Sequence, residues 1–194
     1  MTTDSDIIQR SRDHPGEFGE LFQRHSTALL HYLGRRIGPD AATDVVSETF
    51  LIAFRKRASF DRTHDSALPW LFGIATRELK RYLVDERRAL RAIAASPLDH
   101  IAQDVIDELG DRLDASHRVA MLGRALAELP RRDRDTLLLY AWGDLTYDGV
   151  AQATGTNVGT VKSRINRART RLQNTITSEV STNLDLKGDL SWTI

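Results

Sequence analysis

The sequence contains no cysteine, which excludes a disulfide-stapled scaffold, a thiol nucleophile, a thiolate zinc site and an iron–sulfur cluster. It also lacks a long apolar run. The longest stretch without a strongly polar side chain is the nine residues 67–75, far short of the roughly 20 that a transmembrane helix requires. The N-terminus carries acids where a secretory signal would have a basic start. We therefore expect a cytoplasmic protein with no membrane insertion.

Net charge is absent as well, since 27 Lys and Arg balance 27 Asp and Glu over 194 residues. Bulk basicity therefore gives no argument for a nucleic-acid partner, and the charge has to be read by segment. Residues 92–123 hold six acids against two bases, whereas residues 155–174 hold five bases and no acid. The charge is thus segregated into an acidic middle and a basic region near the C-terminus.

The sequence has no alternating period-two run of useful length, so we expect almost no β-sheet. Apolar residues instead recur at spacings of three and four, which predicts helices over 17–36, 40–57, 69–91, 117–127, 131–142, 147–154 and 158–174. All six Phe lie between Phe18 and Phe72, which indicates a core separate from that of the later half. The predicted fold class is all-α, with two small helical domains joined by an acidic linker.

Residues 147–164 carry the most specific pattern of the chain. A short helix ends at Gly155, which tolerates the left-handed geometry of a tight turn, and Asn157 can cap a second helix. This order is typical of a helix-turn-helix, which presents its second helix to a DNA groove. Apolar residues of the second helix fall on one line, namely Val161, Ile165, Ala168 and Leu172.

The opposite face of this second helix carries side chains suited to base edges, with arginines at the flanks where phosphates lie. The residues predicted to contact DNA are Thr160, Lys162, Ser163, Arg164, Asn166 and Arg167. A basic helix face is more often simply solvated. Here, however, the turn, the apolar line and the acid-free basic face coincide within 28 residues, so we favour DNA contact.

Several runs of this sequence resemble the sigma-70 family of RNA polymerase factors, in its extracytoplasmic-function (ECF) group. Residues 129–134 (LPRRDR) and 159–169 (GTVKSRINRAR) resemble the family's region 4. Residues 44–54 (DVVSETFLIAF) resemble region 2.2, and residues 69–75 (PWLFGIA) resemble regions 2.3 to 2.4. The runs follow the family's order and its two-domain spacing, and the matching segments cover most of the chain.

The resemblance implies a bacterial sigma factor that binds core RNA polymerase, recognises a promoter −35 element through region 4, and helps to melt and hold the −10 element through region 2. It implies that Asp44, Ser47 and Glu48 bind core polymerase. It implies −10 contacts by Phe60, His64, Arg77, Lys80 and Arg81. It divides the chain into a region 2 domain at 1–91, an acidic linker at 92–117, a region 4 domain at 118–174 and a C-terminal tail at 175–194.

The expected partners are core polymerase, promoter DNA and, as is common in this family, an anti-sigma protein that no residue of the sequence reports. No cofactor, metal or catalytic residue is expected. Two alternatives remain. A conventional helix-turn-helix regulator, which acts without being a polymerase subunit, would leave residues 40–91 unexplained. An all-helical enzyme would lack a paired His motif, a glycine-rich phosphate loop and a Gly-x-Ser-x-Gly motif, so we expect no enzyme.

Overall fold

The computed structural model describes the backbone of residues 2–94 and 122–188, and the side chains of residues 2–88 and 122–177. The helices are α1 (Asp4–Arg10), α2 (Gly19–Ile37), α3 (Pro39–Lys56), α4 (Leu68–Ala94), α5 (described over 122–128), α6 (Arg131–Trp142), α7 (Tyr147–Thr154) and α8 (Val158–Gly188). Short 3-10 helices cover Pro15–Phe18 and Arg57–Ser59. These residues contain no strand, which confirms the all-α class. None of their helices has both the length and the apolar character needed to cross a bilayer.

The apolar periodicity predicted α2, α3, α4, α6 and α7 to within three residues at each end. Two differences stand out. Helix α1 was not predicted, because its segment offers only two adjacent apolar residues, Ile7 and Ile8. Helix α8 continues to Gly188 instead of ending at residue 174. Residues 95–121, which hold most of the predicted linker at 92–117, and residues 189–194 of the predicted tail lie outside the described residues.

The described residues divide into two compact units. The first contains 2–94 together with 138–162, and the second contains 122–137 together with 163–188. This division differs from the domain boundaries predicted from the sequence, because residues 138–162 pack with the N-terminal helices. The assignment of 1–91 to region 2 and 118–174 to region 4 is a division by sequence motif and stays a prediction.

The first unit is built on α2, α3 and α4, whose apolar faces meet in a common core. Tyr32 of α2 and Phe72 of α4 are fully buried there, with their ring centroids 5.3 Å apart in an edge-to-face arrangement. Helix α7 packs on α4 beside this pair. A Cβ atom on Gly73 would lie 2.9 Å from the carbonyl oxygen of Ala153, so the close approach of α4 and α7 depends on glycine at this position.

The second unit combines the end of α5, the first turns of α6 and most of α8. Its buried apolar residues include Ala125, Leu129, Leu137, Ile165 and Ala168. Two polar residues of α6 are buried with them. Thr136 satisfies its hydroxyl by donating to the carbonyl oxygen of Arg132 at 2.6 Å. Asp133 is the other, and its partner lies on the predicted DNA-binding helix.

Candidate nucleic-acid interface

The turn between α7 and α8 has the geometry that the sequence predicts. Gly155 is in the left-handed region with φ 62° and ψ 38°, where a side chain would be strained. The side-chain oxygen of Asn157 accepts a hydrogen bond from the backbone N–H of Thr160 at 2.7 Å, which caps the start of α8. Both predictions for the helix-turn-helix turn are confirmed.

Two threonines stabilise this turn in a way that the sequence did not indicate. The hydroxyl oxygens of Thr154 and Thr156 lie 2.9 Å apart, within hydrogen-bonding distance of each other. The Thr154 hydroxyl also reaches the carbonyl oxygen of Val150 at 2.7 Å. The turn is thus closed by side-chain hydrogen bonds at positions where an apolar contact could serve equally well.

Helix α8 has one buried and one exposed face. Val161, Ile165 and Ala168 are buried, as predicted, and Leu172 is half-buried. On the other side, Lys162, Ser163, Asn166 and Arg167 are exposed, while Thr160 and Arg164 are half-buried. The six residues predicted to contact DNA therefore all reach the surface along one helix.

Aromatic rings of α6 and α7 support the predicted DNA-binding face at Lys162. The Lys162 ammonium lies 5.9 Å from the centre of the Tyr147 ring, at the outer range of a cation–π contact. Tyr147 in turn stacks on Tyr140, with centroids 4.9 Å apart and planes 5° from parallel. The stacked rings thus support the Lys162 side chain, whose charge stays exposed.

Arg167 is held by a carboxylate. Its Nε atom donates to Oδ2 of Asp133 at 3.2 Å, and its Nη2 atom donates to Oδ1 at 3.1 Å. The Asp133 side chain is 8% exposed and that of Arg167 is 53% exposed. These hydrogen bonds, the largest cause, and the negative charge of Asp133 raise the pKa of Arg167 above its ordinary value. The guanidinium is thus fixed in direction while one edge remains open to solvent.

A second cationic surface lies on α4. Arg77, Lys80 and Arg81 are exposed on one side of this helix. They line an open groove that Arg88 extends by two further turns. Arg81 also pairs with Glu78 at 3.5 Å, but exposed pairs of this kind contribute little and leave the charge available.

The α3–α4 loop (residues 57–67) precedes this helix. Its His64 is half-buried, with Nε2 3.8 Å from Oδ2 of Asp61. Phe60 is only 5% exposed and meets Trp70 edge-on at 5.2 Å, so its ring is packed under the loop and is closed to a stacking base. Of the two loop residues predicted to contact the −10 strand, Phe60 and His64, only His64 has its ring at the surface.

Asp61 of the α3–α4 loop was not singled out by the sequence reasoning. Its carboxylate accepts hydrogen bonds from the backbone N–H of Thr63 at 3.0 Å and from the Thr63 hydroxyl at 2.8 Å. These two bonds lower the pKa of Asp61. The loop therefore presents an ionised hydrogen-bond acceptor, which a spacing pattern alone could not reveal.

The predicted polymerase-binding residues form an acidic strip along α3. Asp44 and Ser47 are exposed and Glu48 is half-buried. Leu51 continues the strip two helical turns beyond Asp44 and is 42% exposed, although it is a large apolar residue. The sequence analysis assigned no role to Leu51, which it named only within the region 2.2 run.

The acidic strip borders a groove between α3 and α4 whose lining is mostly acidic. Its charged residues are Asp44, Glu48, Glu78, Arg81 and Asp85. Four carboxylates against one guanidinium repel a phosphate backbone and attract a basic protein surface. The acidic groove thus adjoins the cationic groove of α4, and the two share Arg81 and Asp85.

A helix-turn-helix with a basic second helix places this chain among the all-α DNA-binding proteins. Sequence models identify the class further: the one described as "Sigma-70 region 2" matches residues 21–89, and the one described as "Sigma-70, region 4" matches residues 120–172. The chain belongs to the sigma-70 family of RNA polymerase sigma factors, in its ECF group. Proteins of this family are transcription initiation factors.

Relatives match over nearly their whole length. The ECF RNA polymerase sigma factor RpoE of Cereibacter sphaeroides is 30% identical over 171 residues, which cover 86% of this chain and 91% of the relative. The ECF RNA polymerase sigma-E factor of Escherichia coli is 27% identical, covering 90% and 94% of the two chains. The RNA polymerase sigma factor YlaC of Bacillus subtilis is 26% identical, covering 84% and 94%.

Two solved structures share the fold. CnrH, in complex with the cytosolic domain of CnrY, superposes with a TM-score of 0.63 at 22% identity, covering 90% of this chain and 97% of that one. The sigma factor RpoE from Bartonella quintana, in complex with the anti-sigma factor NepR, gives a TM-score of 0.53 at 23% identity, covering 86% and 98%. These likenesses confirm the fold.

Proposed function

We propose that this chain joins core RNA polymerase, brings it to promoters by reading a −35 element with α8, and holds the melted −10 strand on α4 and the α3–α4 loop. The observation that carries the proposal is the presence of two separate cationic helix faces, one on each sequence-matched region. A factor that must touch duplex DNA at one element and single-stranded DNA at another needs two such faces.

The α8 face suits a duplex major groove. Lys162, Asn166 and Arg167 offer donors and acceptors that can read base edges, and Asn157 and Thr160 fix the helix start that would enter the groove. The ion pair with Asp133 directs the Arg167 guanidinium before DNA arrives. Preorientation of this kind lowers the entropy cost of a directed contact.

The α4 face suits a single strand. Its exposed bases, Arg77, Lys80 and Arg81, can follow a phosphate backbone without reading sequence. The neighbouring α3–α4 loop supplies the half-buried His64 and the ionised Asp61, which can meet the polar edge of an unstacked base. We assign Phe60, which is buried, to the support of this loop rather than to DNA contact.

The acidic strip of α3 suits core polymerase. The carboxylates of Asp44 and Glu48 disfavour contact with DNA. The Ser47 hydroxyl donates to the carbonyl oxygen of Thr43 at 2.9 Å. Leu51 exposes an apolar side chain. An exposed apolar side chain with a polar rim is typical of a protein interface, and the acidic rim favours a basic partner surface. We therefore assign Asp44, Ser47, Glu48 and Leu51 to the polymerase contact.

Three further assignments follow from the same proposal. RNA synthesis is catalysed by the polymerase, so the chain itself acts without enzymatic chemistry. Its place of action is the cytoplasm, where DNA and core polymerase meet. An anti-sigma protein is a further partner, an assignment supported by the NepR complex of the fold relative from Bartonella quintana.

Reconstitution tests the proposal. The chain is mixed with core bacterial polymerase and used for run-off transcription on a library of genomic promoter fragments. Transcripts should require both components and should enrich templates with two conserved elements at a fixed spacing. The conventional regulator would instead bind its own operator without polymerase and would give no chain-dependent transcript.

A further inference from the structure

The N-terminal segment folds into a well-capped helix, α1, although it contains only two apolar residues, Ile7 and Ile8. The Thr3 hydroxyl accepts the N–H of Asp6 at 3.1 Å, and the Asp6 carboxylate accepts the N–H of Thr3 at 3.0 Å, which forms a capping box. Ile7 and Ile8 are buried to 1% exposure or less. Helix α1 is therefore a fixed part of the first unit and not a loose terminus.

Five hydrogen bonds tie residues 4–12 to the α3–α4 loop along its length. The pairs are Asp4 N to Asp65 O (3.0 Å), Ala67 N to Asp4 Oδ2 (2.8 Å), Ser5 Oγ to Arg62 O (3.3 Å), Arg62 Nη1 to Gln9 Oε1 (2.9 Å) and Arg12 Nη2 to Ala58 O (3.0 Å). Three of them reach backbone carbonyl oxygens of the loop and one takes a backbone N–H. They therefore fix the path of the loop backbone.

The loop's own hydrogen bonds cannot do this. They are local, such as those that Asp61 accepts from Thr63 and the one that His64 donates from its backbone to the carbonyl oxygen of Asp61. Bonds between residues two or three apart shape a turn but do not place it relative to α4. Packing of Phe60 against Trp70 holds one point of the loop on α4, and α1 supplies contacts along the rest of its length.

Asp4 is the centre of this connection. It is 4% exposed, and its carboxylate accepts hydrogen bonds from Ala67 N, from Nε2 of His25 at 2.6 Å and from Nη1 of Arg24 at 3.0 Å. Arg24 and His25 belong to α2, so one buried carboxylate joins α1, α2 and the last residue of the loop. Removing it leaves buried donors without an acceptor.

From this connection we infer that Asp4 is a positioning residue for DNA reading: it holds the α3–α4 loop, through α1, in the shape that receives an unstacked base of the −10 strand. The inference rests on the proposed function, because it takes this loop and α4 to be the single-strand site. Asp4 itself touches no DNA. It lies beneath the loop, and its effect is on base selectivity.

The test uses the full chain assembled with core polymerase. The probe is a single-stranded oligonucleotide carrying the −10 element that the wild-type holoenzyme selects, compared with oligonucleotides in which each base is changed in turn. The variant is Asp4→Asn, which keeps the shape but offers one acceptor oxygen to three donors. Asp13→Asn, an exposed acid just after α1, is the matched control.

We expect Asp4→Asn to lower the discrimination between the selected base and its replacements about tenfold, because a loop that is held less firmly is less preorganised for the base. Hydrogen exchange at the Ala67 amide should speed up. Affinity for core polymerase should stay within about twofold of wild type, because the acidic strip on α3 is untouched. Asp13→Asn should change none of these quantities.

A second variant covers the case in which Asp4→Asn does not fold. Ser5→Ala with Gln9→Ala removes two side-chain bonds to the loop, from the half-buried Ser5 and the exposed Gln9, and leaves Asp4 in place. It should lower base discrimination in the same direction but to a smaller extent. Unchanged discrimination in a folded Asp4→Asn protein, or in this double variant if Asp4→Asn is unfolded, overturns the inference.

Failure of the proposed function would look different. In that case the wild-type holoenzyme itself would show no preference among the oligonucleotides, and no variant could lower it. A wild type that discriminates, beside an Asp4→Asn protein that discriminates equally well, would leave the proposed function intact and reject only the positioning role.

Discussion

Arg167 and Asp133 form a two-point ion pair, with donor–acceptor distances of 3.2 and 3.1 Å, between the exposed face of α8 and the first turn of α6. The two residues are 34 positions apart in sequence. The pair matters because Arg167 has two tasks: it satisfies a carboxylate that is 8% exposed, and it points at the groove that α8 is proposed to enter. A substitution at Arg167 therefore tests both packing and DNA reading.

Arg167→Ala should weaken transcription roughly tenfold on promoters that match at particular −35 positions, because a bidentate base contact is lost. Arg171→Ala should weaken all promoters alike, since an exposed arginine at the flank contacts phosphates. A matrix of −35 base changes against the two variants measures the difference. Equal losses on every sequence for Arg167→Ala would show that Arg167 contacts phosphates and does not read bases.

The packing task of Arg167 needs its own control. Asp133→Asn breaks the ion pair but keeps the arginine, so it reveals how much of any effect comes from the loss of the pair. We expect Asp133→Asn to lower the melting temperature and to weaken the −35 preference less than Arg167→Ala does, because the arginine remains but is no longer preoriented. If Asp133→Asn removes the preference as fully as Arg167→Ala does, the ion pair itself determines DNA reading.

Charge reversal at the acidic strip should separate polymerase binding from DNA reading. Asp44→Arg with Glu48→Arg turns attraction to a basic partner surface into repulsion, so affinity for core polymerase should fall and initiation should be lost. Asp44→Arg alone, compared with Asp13→Arg, gives a matched pair of single reversals at exposed sites. Circular dichroism and melting temperature should stay near wild type. Wild-type affinity in the folded double variant would show that α3 does not bind the polymerase.

The stability of the chain should depend on the ionisation of Asp4. Burial raises the pKa of this carboxyl. The hydrogen bonds from His25 and Ala67 act in the opposite direction, and the net pKa lies below the ordinary value of 3.8. The stabilisation is therefore present above pH 3.8 and is lost as the pH falls through the lowered pKa. In urea unfolding between pH 2 and pH 6, roughly the range in which carboxyls titrate, the advantage of wild type over Asp4→Asn should shrink towards low pH. A constant difference would contradict this assignment.

The contact between α4 and α7 gives a prediction about glycine. Gly73→Ala would place a Cβ atom 2.9 Å from the carbonyl oxygen of Ala153, and a backbone atom cannot move aside cheaply. The melting temperature should therefore fall, even though alanine favours a helix over glycine by about 1 kcal/mol. Gly34→Ala is the control, because a Cβ there meets nothing within 4 Å and should stabilise by up to about 1 kcal/mol. A stabilised Gly73→Ala protein would mean that α4 and α7 do not pack this closely.

Features that depend on local sequence could be predicted, and features that depend on distant partners could not. Gly155 and Asn157 define the turn before α8 through their own backbone and cap preferences, so the helix-turn-helix was recognisable. The pairing of Arg167 with Asp133 and of Asp4 with Ala67 joins segments 34 and 63 residues apart. No periodicity reports such contacts, and they decide how the candidate DNA-binding residues are oriented.

The exposed fractions of Phe60 and Leu51 also depend on tertiary packing. The family resemblance implied a −10 contact by Phe60, yet its ring packs against Trp70 and is 5% exposed. Leu51 was assigned no role from the sequence, yet it is an apolar side chain that is 42% exposed on the same face of α3 as Asp44 and Glu48. The exposure of each side chain follows from which helix faces pack together, and not from its neighbours in sequence.

The most direct test of the central claim compares DNA binding by the isolated chain with that by its complex with core polymerase, on a promoter selected by run-off transcription. The isolated chain has one basic helix face with few phosphate contacts for duplex DNA, so it should bind this promoter weakly and hardly prefer it to unrelated DNA. With core polymerase, binding should become specific for the bipartite promoter and the −10 region should open. Tight, sequence-specific binding of the isolated chain to a palindromic site, with no gain from core polymerase, would contradict the account.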